Sequence, residues 1–153
     1  MDAVIFIIRH AEKPEDKGNP HLSTAGWDRA WKLASKPERI GPPTHVFAAA
    51  ASLESNRPVE TISPLASTLG LTIDATISDR DIDELCHKLL ALAAGSIALV
   101  CWHHEHIPKL ASKLGASNVP EKYPDVYDQV WVVSPSPGGE VNLDIRTLKF
   151  KDK

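Results

Sequence analysis

Two apolar runs constrain this chain most. Residues 3–8 (AVIFII) and 96–102 (SIALVCW) are rich in β-branched and aromatic side chains and do not alternate with polar residues. Each stops on ionisable groups, Arg9 and His10 after the first, His103 and His104 after the second. A strand with one wet face alternates, whereas a strand covered on both faces does not. Both runs therefore read as interior strands of a sheet with helices on either side. Both fall far short of the roughly 20 apolar residues of a membrane-spanning helix.

The intervening sequence supplies those helices. Ser23 or Thr24 is a candidate N-cap for a helix whose apolar stripe is Trp27, Ala30, Trp31 and Ala34, closed by Pro37. Residues 45–50 read as a strand and 57–69 as a helix ended by Gly70, with Pro58 in its first turn and Pro64 expected to kink or interrupt it. Further on, 71–77 reads as a strand, 81–94 as a helix ended by Gly95, and 106–114 as a helix ended by Gly115. Residues 127–134 and 140–148 read as strands flanking the turn-forming SPSPGG. The order β-α-β-α-β-α-β-α-β-β predicts a three-layer α-β-α sandwich around a mainly parallel sheet, with ligands at the carboxyl ends of the strands.

A length of 153 residues predicts one domain over 1–153. With 42% hydrophobic and 24% charged residues the chain is globular rather than disordered. A net charge of −3 gives no general cationic field for nucleic acid or an anionic membrane, so any anion site must be local. The opening MDAVIFII lacks a basic leader and a small-residue cleavage site, so cytoplasm is the expected compartment. Cys86 and Cys101 cannot frame a disulfide scaffold and are expected to be reduced core thiols.

Chemistry is expected where the two interior strands end. Arg9-His10 and His103-His104-Glu105-His106 can converge at one sheet edge, and Arg57 opens a helix after the second strand in a segment, SLESNRPVET, too polar for core. Neutral imidazole is a nucleophile near neutral pH, and guanidinium forks neutralise phosphoryl oxygens, so the inventory suits phosphoryl transfer to histidine. Plainer readings compete: a solvated charged loop for Arg9-His10, a surface ion pair with Glu54 or Glu60 for Arg57, and a zinc or copper site for the His103–His106 cluster.

Four ordered motifs resemble those of the histidine phosphatase superfamily, also called phosphoglycerate mutase-like. Arg9-His10-Ala11-Glu12 resembles its Arg-His-Gly tripeptide, with Ala11 in the Gly place. LSTAGWDRA, with Leu22, Ser23, Gly26, Arg29 and Ala30, resembles its first helix start. SNRPVETISPLA resembles the segment of the second arginine, with Arg57, Glu60, Thr61 and Pro64 in register. VCWHHEHIP resembles that of the second histidine, with Trp102 where Gly is usual.

The resemblance implies the phosphoglycerate mutase-like fold, a phosphatase that forms a phosphohistidine on His10, and oxygen binding by Arg9, Arg57 and His103, with His104 a further phosphate-binding candidate. It implies no cofactor and no metal. The expected substrate is a phosphorylated small molecule or a phosphoprotein, including protein phosphohistidine, because the chain has little length for an insertion that caps the site. The acid that protonates the leaving group has no clean match; Glu105 is the candidate, with Asp79, Asp81, Asp83 and His104 behind it. Ala11 and Trp102 are expected to narrow the pocket, with Trp102 as a wall. Two readings stand against the enzyme: a phosphate- or phosphoprotein-binding pseudoenzyme, and a metal-binding protein built on the histidine cluster.

Overall fold

The computed structural model describes residues 1–150. Six strands form one sheet: β1 (Val4–Arg9), β2 (His45–Ala48), β3 (Ile73–Asp74), β4 (Ile97–Trp102), β5 (Gln129–Pro135) and β6 (Val141–Thr147). Four helices connect them: α1 (Thr24–Ser35), α2 (Arg57–Leu69), α3 (Ile82–Leu90) and α4 (Ile107–Lys113), with 3-10 turns at Pro37–Ile40 and His104–His106. The sheet order is β3-β2-β4-β1-β5-β6, parallel through β1, with β5 antiparallel to β1 and β6 antiparallel to β5. The element order is the one expected, and so is the mainly parallel sheet.

Both faces of the interior strands are covered. Ile5 and Ile7 of β1 join Leu85, Leu89, Leu110 and Ala111 in one apolar cluster, so α3 and α4 cover that face. Phe6 and Ile8 join Leu33, Ala34, Ile62 and Leu65 in another, so α1 and α2 cover the opposite face. Burial of β1 and β4 on both sides is the physical reason their sequences do not alternate. Cys86 and Cys101 are free and buried. Among the described residues no helix is long and apolar enough to cross a membrane.

Several expectations on local structure need correction. The α1 stripe is Gly26, Ala30, Leu33 and Ala34, and Trp31 is 61% exposed, because the helix turns its small residues toward the sheet and α2. The helix α2 runs through Pro64 without interruption. Pro64 is buried, and the apolar packing of its ring offsets the lost amide donor. The β3 strand has only two residues, since it pairs with β2 only at Val46–Ile73 and Phe47–Asp74 before the chain turns away. The helix α3 ends at Leu90, four residues earlier than expected.

Candidate active site

Register places the site. In the parallel pair of β1 and β4, Arg9 lies opposite Trp102, so the next residues, His10 and His103, emerge side by side at the carboxyl edge. The His10 N–H donates to the Trp102 carbonyl (3.2 Å) and the Ala49 N–H to that of Cys101 (3.2 Å), which brings the end of β2 to the same edge. The rings of His10 and His103 meet edge to face with centroids 5.3 Å apart.

His10 is buried, and its Nδ1 lies 2.7 Å from the Ala11 carbonyl. A carbonyl only accepts, so Nδ1 carries the proton and Nε2 keeps the lone pair. Burial is the main cause that lowers the His10 pKa to about 3, helped by His103, Arg9 and Arg57 and opposed by the bond to Ala11. The imidazole is thus neutral near pH 7. His103 is also held below the usual histidine range, by burial first, against the raising influence of Asp79 and Glu105.

The loop behind His10 is fastened on every side. Ala11 N–H donates to Thr61 Oγ1 (2.8 Å), which in turn donates to the Arg57 carbonyl (2.7 Å), tying the loop to the start of α2. Glu12 receives Arg29 through Nε (3.0 Å) and Nη2 (2.8 Å), and its carbonyl accepts from the Ser23 N–H (3.0 Å). A Cβ on Gly26 would lie 2.5 Å from that carbonyl, so only glycine lets α1 begin this close to the loop. Ser23 caps α1 by accepting from the Gly26 N–H (3.1 Å). Buried Glu60 accepts from Leu22 N–H (2.8 Å) and lies 2.5 Å from His21 Nδ1. Glu12, Ser23, Gly26, Arg29, Glu60 and Thr61 therefore hold the loop and the start of α2 in place.

Two guanidinium groups reach this edge. Arg9, buried, donates through Nη1 to Asp125 (3.0 Å) and to the Val126 carbonyl (3.4 Å). Arg57 donates through Nη1 to the Asn19 carbonyl (2.7 Å). In both, Nε is buried without a hydrogen-bond partner. Unpaired buried donors are costly, and two cationic ones beside two imidazoles make an environment complementary to an oxyanion.

A cavity of about 380 Å³ opens over the edge and is lined by Ser55, Arg57, Asp79, Arg80, His103 and Glu105, among others. Arg57 and His103 thus face one space, with His10 against His103. Of the acid candidates, Asp79 and Glu105 line this cavity, whereas Asp83 pairs with Lys113 (2.7 Å) between α3 and α4. Asp81 is exposed at the start of α3. His104 lines a neighbouring cavity with Glu105, Lys122 and Tyr123. A larger hollow of about 540 Å³ lies beyond the Glu12–Arg29 pair and includes no histidine.

The expected narrowing of the pocket is corrected. Ala11 turns its methyl into a small apolar cluster with Leu22 and Ala30. Trp102 is fully buried among core residues, its indole N–H donating to the Asp79 carbonyl (2.9 Å), so it fixes the Asp79 loop from beneath rather than walling the pocket. Among the described residues, no three His, Cys, Asp or Glu side chains are grouped to hold a metal ion.

Sequence reasoning missed Tyr127, whose ring lies 6.3 Å from that of His10 and 4.2 Å from the Arg9 guanidinium carbon. The signal lies in the topology: β5 runs antiparallel to β1 and starts where β1 ends, so residues just before β5 reach the site.

No protein-family model matches the chain, and no curated protein matches its sequence. Solved structures do match in fold. The protein histidine phosphatase SixA complexed with tungstate superposes with a TM-score of 0.67 at 16% identity, covering 94% of this chain and 96% of that one. A mycobacterial glucosyl-3-phosphoglycerate phosphatase in complex with VO3 gives 0.67 at 13% identity, covering 95% and 99%. The chain thus has the phosphoglycerate mutase-like fold of the histidine phosphatases.

Proposed function

We propose that this protein is a phosphatase that works through a phosphohistidine on His10. The observation that carries the reading is the state of His10: buried, neutral, its Nδ1–H spent on the Ala11 carbonyl, its Nε2 lone pair left for chemistry beside His103. A neutral imidazole next to cationic oxyanion donors is what in-line transfer of a phosphoryl group to nitrogen requires.

In this mechanism Arg9, Arg57 and His103 bind the non-bridging oxygens. Nε2 of His10 attacks phosphorus as the bond to the leaving group breaks, and the leaving group takes a proton from an acid in the cavity, Asp79 or Glu105. Water then attacks the phosphohistidine and gives a proton to the same carboxylate, now the base; the P–N bond breaks, inorganic phosphate leaves, and neutral His10 and the acid are both restored. The substrate is a phosphomonoester or a protein phosphohistidine held mainly through its phosphate. An open rim supports this breadth: Ser52, Glu54 and Glu105 are exposed, and Leu53 beside them is 99% exposed. The two solved structures, one named for protein histidine phosphatase activity and one for a sugar phosphoglycerate, fit the same chemistry.

The test is hydrolysis of p-nitrophenyl phosphate and of phosphohistidine by the wild type and His10→Ala, together with tungstate binding. Activity lost in His10→Ala, with its circular dichroism unchanged, is the expected result. Undiminished turnover removes His10 from the nucleophile role. Tungstate binding without hydrolysis of any phosphate would make the protein a phosphate- or phosphoprotein-binding module.

A further inference from the structure

We propose that Tyr127 is a positioning residue for Arg9: its ring, with Asp125 and the Val126 carbonyl, fixes the guanidinium beside His10 so that its remaining donors face the phosphoryl group. The inference rests on the phosphatase reading above and concerns how that site is organised.

Tyr127 lies in the loop before β5, two residues before the strand begins. Because β5 runs antiparallel to β1, with Ile8 opposite Val130, the loop arrives at the edge where Arg9 and His10 emerge. Among the described residues the ring belongs to none of the apolar clusters. It is partly exposed, and the Arg9 guanidinium carbon lies 4.2 Å from its centroid. A tyrosine recruited for core packing would turn the other way, as Tyr123 does: that ring stacks on Trp131 (5.4 Å) and its hydroxyl donates to the Gln129 carbonyl (2.8 Å).

Arginine carries large rotamer freedom, so an arginine that must meet an oxyanion in one orientation gains from being held beforehand. Three groups from residues 125–127 do this. Asp125 and the Val126 carbonyl take Nη1, while the π face of Tyr127 lies against the guanidinium. The arrangement leaves Nε buried and unpaired.

The experiment measures orthovanadate inhibition and the KM and kcat for p-nitrophenyl phosphate in the wild type, Tyr127→Leu, Tyr127→Phe, Arg9→Lys and the Arg9→Lys/Tyr127→Leu double variant. Tyr127→Leu is expected to weaken orthovanadate about three- to tenfold, with KM rising in step and kcat falling less. Tyr127→Phe restores both, since it keeps the ring. In the Arg9→Lys background Tyr127→Leu adds less than in the wild type, because the planar fork that the ring orients is gone and only an ammonium remains. Unchanged orthovanadate affinity in Tyr127→Leu, a full additional loss in the Arg9→Lys background, or a Tyr127→Phe as impaired as Tyr127→Leu would each overturn the proposal. A wild type that binds no orthovanadate would overturn the phosphatase reading itself. If Tyr127→Leu fails to fold, pentafluorophenylalanine at position 127 keeps the shape and reverses the quadrupole; it should weaken orthovanadate, and unchanged binding would overturn the proposal.

Discussion

Keeping His10 neutral in the native state carries a cost that acid should reveal. The folded protein holds its pKa near 3, against an ordinary value of 6.5. Between these values the unfolded chain binds a proton that the folded chain refuses. Stability is therefore full above pH 6.5 and falls as the pH drops. At pH 5, about 1.5 units below the ordinary value, the loss from His10 is about 2 kcal/mol, from ~1.36 kcal/mol per unit. Any folded-state pKa below about 4 gives the same figure, because the native imidazole is then already neutral at pH 5. His103 and His104 are lowered too, by burial first, and push in the same direction. His10→Gln removes only the His10 share. Urea unfolding of both proteins at pH 8 and pH 5 isolates it as a difference of differences. The wild type should lose about 2 kcal/mol more than the variant on acidification. Equal losses would mean that native His10 titrates like an unfolded histidine, and the case for a buried neutral nucleophile would fail.

Two more outcomes rest on the packing around the loop, and a third on the cavity. Gly26→Ala gains about 1 kcal/mol of helix propensity but sets a methyl 2.5 Å from the Glu12 carbonyl, so a net loss of about 1–2 kcal/mol by thermal unfolding and a lower kcat/KM are expected. Thr61→Val strips the buried Ala11 N–H of its acceptor; it should lose about 1–3 kcal/mol in urea unfolding, with lowered activity. Glu105→Gln and Asp79→Asn distinguish the two acids in the cavity. The variant whose rate falls more steeply as leaving-group pKa rises identifies the donor, and a series unchanged in both would send the search outside this cavity.

Much of the architecture was legible because burial on both faces leaves its mark on β1 and β4, and because Gly70 and Ser23 mark helix ends by local geometry. The illegible parts depended on tertiary contacts. In α1 the sets Trp27, Ala30, Trp31, Ala34 and Gly26, Ala30, Leu33, Ala34 both satisfy helical spacing, and only the close approach of Glu12 to Gly26 selects the second. The edge strand β3 was overread because an apolar run does not reveal how many residues find a partner. Trp102 was misplaced since chain adjacency to His103 says nothing about side: alternation at the strand end sends the two side chains apart, one into the core and one toward the cavity. The convergence of Arg9, His10, Arg57 and His103 was readable as a possibility from strand ends; the β1/β4 register brings His10 beside His103, and the shared cavity adds Arg57. Tyr127 stayed hidden because residues 127–134 read as strand, whereas the strand starts at Gln129.

The most direct measurement is of the covalent intermediate. Protein mixed with a labelled phosphomonoester and quenched within milliseconds should carry acid-labile, base-stable phosphate, and peptide mass spectrometry should place it on His10. Phosphate on another residue, or rapid turnover with no labelled protein in wild type and with activity retained in His10→Ala, would contradict a phosphohistidine mechanism at this site.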